Sequence, residues 1–177
     1  MIKSISTTVI SAAAILVAGT ASAGITPNGT YSLGGAAATD SNLDVSQSVS
    51  LTGCKVNWAN ALTVSGGTAT AAVLGKTLSV GSLCSGVSLK NNWSIAAGST
   101  ANAVVITGFW AKTLNGECGS ATQVVNGTYS PTPSPRINIS ASVSGWYDVI
   151  PGIGPRVIKD CTINGFVGLS APLTVVP

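Results

Sequence analysis

Of 177 residues, eight are Lys or Arg, five are Asp or Glu and none is His, so charged side chains make up 7 % of the chain, against roughly 25 % in an ordinary soluble domain. Mean hydropathy is +0.48, yet the apolar residues are scattered among Ser, Thr, Gly and Asn. No internal run reaches the ~20 apolar residues that a membrane-spanning helix needs. The absence of His excludes Ser-His-Asp and Cys-His catalysis, and the few carboxylates leave little for acid/base work or a hard-cation site. The composition points to a protein that stabilises, coats or binds something, not to an enzyme, and to no metal or cofactor site.

In chain order, the first feature is a leader. Lys3 supplies a positive start, Val9 to Gly19 (VISAAAILVAG) form a short apolar stretch, and Ala21-Ser22-Ala23 has the small-x-small form of a cleavage site. Residues 1–23 read as a secretory signal peptide cut between Ala23 and Gly24, which leaves 154 residues, a single-domain size. Seven basic residues then face five acidic ones. So small and dispersed an excess gives no reason to expect nucleic acid as a partner.

Residues 24–44 are rich in Gly, Ala, Thr and Asn, with Thr30 to Leu33 alone resembling a strand, and read as a loose N-terminal arm. A single β domain follows over 45–177. Val45, Gln47, Val49 and Leu51 alternate with Ser46, Ser48, Ser50 and Thr52, the clearest strand pattern in the chain. Arg136 to Ser144 repeats it, with Ile137, Ile139, Ala141 and Val143 on one face. Weaker strand patterns occupy 62–65, 68–74, 77–80, 87–90, 93–96, 104–111, 124–129, 156–159 and 173–176. Asn-Gly pairs at 28–29, 115–116, 126–127 and 164–165, and Gly-Gly at 34–35 and 66–67, read as hairpin turns. Ser130 to Arg136 (SPTPSPR) and Pro151 to Pro155 (PGIGP) are connectors, since proline cannot donate to a ladder. No segment after the leader shows helical periodicity with caps. The fold class expected is all-β, an antiparallel sandwich or barrel of about eight to ten short strands. Most of the nine Phe, Trp and Tyr residues are expected in its core, with Trp146 and Tyr147 either there or on the surface.

Cys54, Cys84, Cys118 and Cys161 are an even set in an exported chain and read as two disulfides, with three connectivities open. Zinc fails on spacing, because no two cysteines lie within two to four residues and no His completes a set. A Ser-Lys dyad finds no S-x-x-K after the leader. Among carboxylates, Asp148 and Asp160 flank the PGIGP loop and form the one pair worth inspecting for glycosidase chemistry; with Glu117 they matter only if they share a cleft. Solvated carboxylates near Arg156 and Lys159 are the plainer reading. Asn-x-Ser/Thr matches at Asn28, Asn92, Asn126 and Asn138 fit turns or strand alternation as well as they fit glycan acceptors.

Taken together, GITPNGTYSL (24–33), LTGCKVNW (51–58), LTVSGGTATAAVLG (62–75), LCSGVSLKNNWSI (83–95), GECGS (116–120) and CTINGFVGLSAPLTVV (161–176) follow an order and a cysteine placement that is familiar. The sequence resembles the bacterial secreted protein activators of alkane oxidation, exported Thr/Ser/Gly-rich proteins associated with growth on hydrocarbons. Residues 131–160 fit that pattern least. The resemblance implies a secreted, extracellular or cell-surface-associated accessory that helps cells use long-chain alkanes by dispersing or contacting the oil phase, not by oxidising it. Its expected partners are hydrocarbon or another apolar surface, and copies of itself. The alternative is a structural subunit of a bacterial surface or biofilm fibre, with residues 24–44 donated to a neighbour's sheet edge.

Overall fold

A computed structural model describes residues 23–35, 40–47, 49–80 and 83–177. Residues 1–22, and with them all of the expected signal peptide except Ala23, lie outside the described residues. The chain is all-β. Its strands are β1 (Gly24–Thr26), β2 (Gly29–Leu33), β3 (Ser41–Ser46), β4 (Ser50–Cys54), β5 (Trp58–Ser65), β6 (Thr68–Ala71), β7 (Ser88–Leu89), β8 (Trp93–Ala97) and β9 (Ala103–Thr107). They continue with β10 (Trp110–Lys112), β11 (Gly116–Gly119), β12 (Val124–Ser130), β13 (Arg136–Val143), β14 (Gly145–Asp148), β15 (Arg156–Ile158), β16 (Cys161–Gly168) and β17 (Thr174–Val176). A 3₁₀ turn occupies Cys84–Gly86.

Two antiparallel sheets carry the architecture. The large one has ten strands in the order β2-β5-β6-β8-β9-β12-β13-β16-β3-β4, and the small one has five in the order β7-β10-β11-β14-β15. The second order retraces part of the first, since β7, β10, β11, β14 and β15 each run through a corner into β8, β9, β12, β13 and β16. The strand count therefore exceeds the eight to ten expected, because a strand that changes sheet at a bend becomes two. Gly108 forms one such corner at φ +93°, donating its N–H to the Gln123 carbonyl at 2.8 Å. The large sheet curls until its first strand meets its eighth. Gly34 N–H donates to Gly168 O at 2.8 Å, and Ser170 N–H to Ser32 O at 3.1 Å.

Three expectations are corrected. Residues 24–44, read as a loose arm, supply β1, β2 and the first part of β3, and β1 pairs with β17 at the far end of the chain. Apart from the strand-like Thr30 to Leu33, which falls within β2, these residues show little alternation, and the partners that tertiary structure supplies make them strands. The strongest alternation, Val45 to Thr52, is a hairpin and not one strand: β3 ends at Ser46, β4 starts at Ser50, and Val45 pairs with Leu51. Period two survives the turn, so the pattern does not reveal it. The Asn-Gly pairs at 126–127 and 164–165 lie within β12 and β16. Glycine at 165 answers close backbone approach, since a Cβ there would strike the Asn42 carbonyl oxygen at φ +134°. Gly66 and Gly67, by contrast, form the expected tight turn between β5 and β6 with both φ values positive.

The core fills the space between the layers. Trp93 stacks on Phe109 at 5.7 Å and meets Trp58 edge-on at 6.2 Å. Five of the nine aromatics, these three with Tyr31 and Tyr129, are buried. Cys54 pairs with Cys84, tying edge strand β4 to the 3₁₀ turn, and Cys118 pairs with Cys161, tying β11 of the small sheet to β16 of the large one. Gln47, just past the end of β3 and buried in step with its alternation, adds a polar staple. Its amide donates to the Lys159 carbonyl at 3.1 Å and to the Glu117 carbonyl at 3.4 Å.

Candidate functional site

The large sheet's exposed face is poor in charge and rich in hydroxyls. Thr30, Thr63, Thr70, Ser94 and Thr107 stand opposite one another across five adjacent strands, and Ser140 donates to Asn164 at 2.7 Å on the far side of the curl. Such a surface is wetted without ions.

The small sheet and its loops differ. Its outward row runs Lys112, Glu117, Trp146, Ile158 across β10, β11, β14 and β15. Glu117 accepts from Lys90 Nζ at 2.6 Å and from Trp110 Nε1 at 3.0 Å. Partial burial pushes its pKa up, but those two bonds and the charges of Lys90 and Arg156 outweigh it and hold the carboxyl below its ordinary value. Lys90 lies over the Trp110 ring at 4.4 Å, and Arg156 over the Trp146 ring at 3.6 Å with its Nε 3.9 Å from Asp148. Trp146 is thus a half-exposed surface feature, not core.

Beyond this face the hairpin and loop tips are aliphatic. Leu114 sits at the turn from β10 to β11; Val149, Ile150 and Ile153 sit in the loop from β14 to β15, with Ile153 87 % exposed. The loop is wound tightly, Ile153 and Gly154 N–H both donating to the Ile150 carbonyl at 3.1 and 2.9 Å. Leu114 shares one depression with Val49 and another with Pro151 and Gly152, and its side chain packs over Gly86 beside exposed Leu83. Turns from four parts of the chain, at Val49, Leu83, Leu114 and the 149–155 loop, therefore come together around Leu114 as one rim. Scattered exposed aliphatics are ordinary, whereas a contiguous set on loops marks a contact surface. The rim was only half visible in the sequence: Ile153 stands in the proline-bounded 151–155 stretch that cannot be a central strand, but the approach of Pro151 and Gly152 to Leu114, and of Leu114 to Val49, depends on the corners.

Of the carboxylates singled out from sequence, Glu117 and Asp148 line one trough between β10–β11 and the 149–155 loop; Asp160 is exposed and outside it. Each is answered by a cation, Lys90 or Arg156. Of the Asn-x-Ser/Thr positions, Asn28, Asn92 and Asn126 are exposed, and Asn138 is half-buried and bonded to Ser130 Oγ at 2.9 Å. Ala23 is exposed, and Gly24 opens β1. The cavity between the sheets, lined by Leu43, Trp58, Leu89, Trp93, Phe109 and Ile163 among others, amounts to about 10 Å³, room for one water-sized sphere. It is far too small for a long alkane.

The family model for alkane oxidation protein activator PraA/PraB-like proteins matches residues 1–177. The chain belongs to this family. The family is described as an activator of alkane oxidation and not as an enzyme. No curated protein and no solved structure matches the chain.

Proposed function

We propose that this activator is a secreted, non-enzymatic accessory that promotes bacterial growth on alkanes by contacting hydrocarbon at the oil–water interface through the aliphatic rim. The observation that carries the reading is the pairing of a filled core with exposed Leu114, Val149, Ile150 and Ile153 on one set of loops. A carrier would need an internal cavity, whereas an interfacial protein needs apolar area outside and a frame that survives adsorption. Two disulfides supply such a frame, and both they and the leader-like residues 1–23 suit an exported protein in an oxidising compartment. The partner is hydrocarbon or another apolar surface. Strand donation from residues 24–44 is the weaker reading, because β1 and β2 already complete the chain's own sheets.

The test uses purified protein without its leader in a hexadecane–water mixture. Interfacial tension should fall and droplets persist at micromolar protein, and Ile150→Ser with Ile153→Ser should remove most of the effect. Unchanged tension with the unsubstituted protein overturns the reading.

A further inference from the structure

The trough beside the rim has a composition that the rim alone does not require. It holds about 220 Å³ and is lined by apolar Leu114, Pro151 and Gly152 together with Lys112, Asn115, Glu117, Trp146 and Asp148. That is less than the about 300 to 1,000 Å³ of drug-sized sites, a size suited to a head group of one ring. Its two carboxylates are held before any ligand arrives. Lys90 and Trp110 hold Glu117, and Arg156 faces Asp148 while covering one side of Trp146. Lys112 makes no ion pair among the described residues.

Charge decides what such a site accepts. A carboxylate head meets Glu117 and Asp148 among the lining groups and an ammonium head meets Lys112, so either faces a like charge. A hydroxyl both donates and accepts, so a ring bearing several of them finds carboxylate acceptors, amide and ammonium donors and an indole edge within one trough. The apolar wall continues into Val149, Ile150 and Ile153 on the same loop, where an attached alkyl chain would lie.

We infer that this trough binds the uncharged polyhydroxylated head of an amphiphile of the alkyl glycoside class, with the chain laid along the aliphatic rim. The inference rests on the proposed interfacial role and adds a ligand class to it. The site would let the protein hold a sugar-headed surfactant at the oil surface where it works.

The experiment titrates the protein lacking its leader with octyl β-glucoside below micelle formation, following tryptophan fluorescence and calorimetric heat. Glucose, octanoate and octyltrimethylammonium are the comparisons. Saturable glucoside binding is expected, with each comparison ligand weaker by about tenfold or more, the scale of one good contact. Asn115→Ala, a truncation of a half-buried hairpin side chain that makes no side-chain hydrogen bond among the described residues, and Trp146→Leu should each weaken it about as much; a melting curve on each variant confirms folding, and Asn115→Ala keeps the test decisive should Trp146→Leu unfold. Equal binding of octanoate or of the ammonium, or glucoside binding untouched in a folded Asn115→Ala protein, overturns the inference. Hexadecane interfacial tension measured on the same samples separates the two readings. Tension lowered without glucoside binding sinks only this site; glucoside bound without an effect on tension sinks only the interfacial role.

Discussion

The two sheets share five continuous strands yet present opposite surfaces. Many outward positions of the large sheet are Thr, Ser and Asn, and some bond one another, as Asn138 does to Thr128 and Ser130. Past the corners, the same strands carry Lys112, Glu117, Trp146, Asp148 and Arg156, and end in loops of Val, Ile, Leu and Pro. The difference teaches that scarcity of charge is not uniform. The large sheet keeps its exposed face wet with hydroxyls, and the small sheet gathers ion pairs and tryptophans next to exposed aliphatic loops, where an amphiphilic contact would form.

The sharpest way to break this division is to cut the link between the sheets. Cys118→Ala with Cys161→Ala opens a bridge of sequence separation 43, for which chain entropy gives a loss of about 4 kcal/mol. Thermal melting should drop accordingly, and hydrogen exchange should show the small sheet losing protection before the large one. Next in size is Tyr129→Phe. Its buried hydroxyl accepts from Leu173 N–H at 2.7 Å, so removal strands a buried donor at a cost of about 1–3 kcal/mol, read from denaturant unfolding, with the small sheet's tryptophan environment unchanged.

A smaller effect comes from pH. Because Glu117 has a lowered folded-state pKa, its contribution is fully present above the unfolded carboxylate pKa and is lost as pH falls through the folded value. Stability should therefore decline on acidification below the ordinary carboxylate range, and Glu117→Gln should flatten that decline. Since Lys90 is partly solvated, the amount is at most about 1 kcal/mol; denaturant midpoints against pH give it. Least of all in stability is Ile150→Ser with Ile153→Ser. Surface changes of this kind stay within about 0.5 kcal/mol, so melting should hold while adsorption to hexadecane is lost.

Much of this was legible in the chain. Period-two alternation marked β13 along its whole length, and Gly66-Gly67 marked its turn, because side-chain direction and positive φ are local properties. The even cysteine count and the absence of His likewise needed no coordinates. Less legible was β1, whose residues become a strand only against β17, while β2 showed as the strand-like Thr30 to Leu33 without its pairing to β5. The hairpin inside Val45 to Thr52 also escaped, since alternation runs unbroken through a turn that preserves parity.

The sequence by itself determined an all-β chain, low in charge, closed by disulfides and lacking the side chains of common catalytic sites, because composition and period are written residue by residue. Tertiary structure alone decided which cysteines pair, that five strands bend from one sheet into a second, and that Leu114, Val49 and the 149–155 loop share one rim above the Glu117–Trp146–Asp148 trough. Those outcomes depend on contacts between residues distant in the chain, set by how bent strands pack around Trp58, Trp93 and Phe109, and no local pattern encodes them.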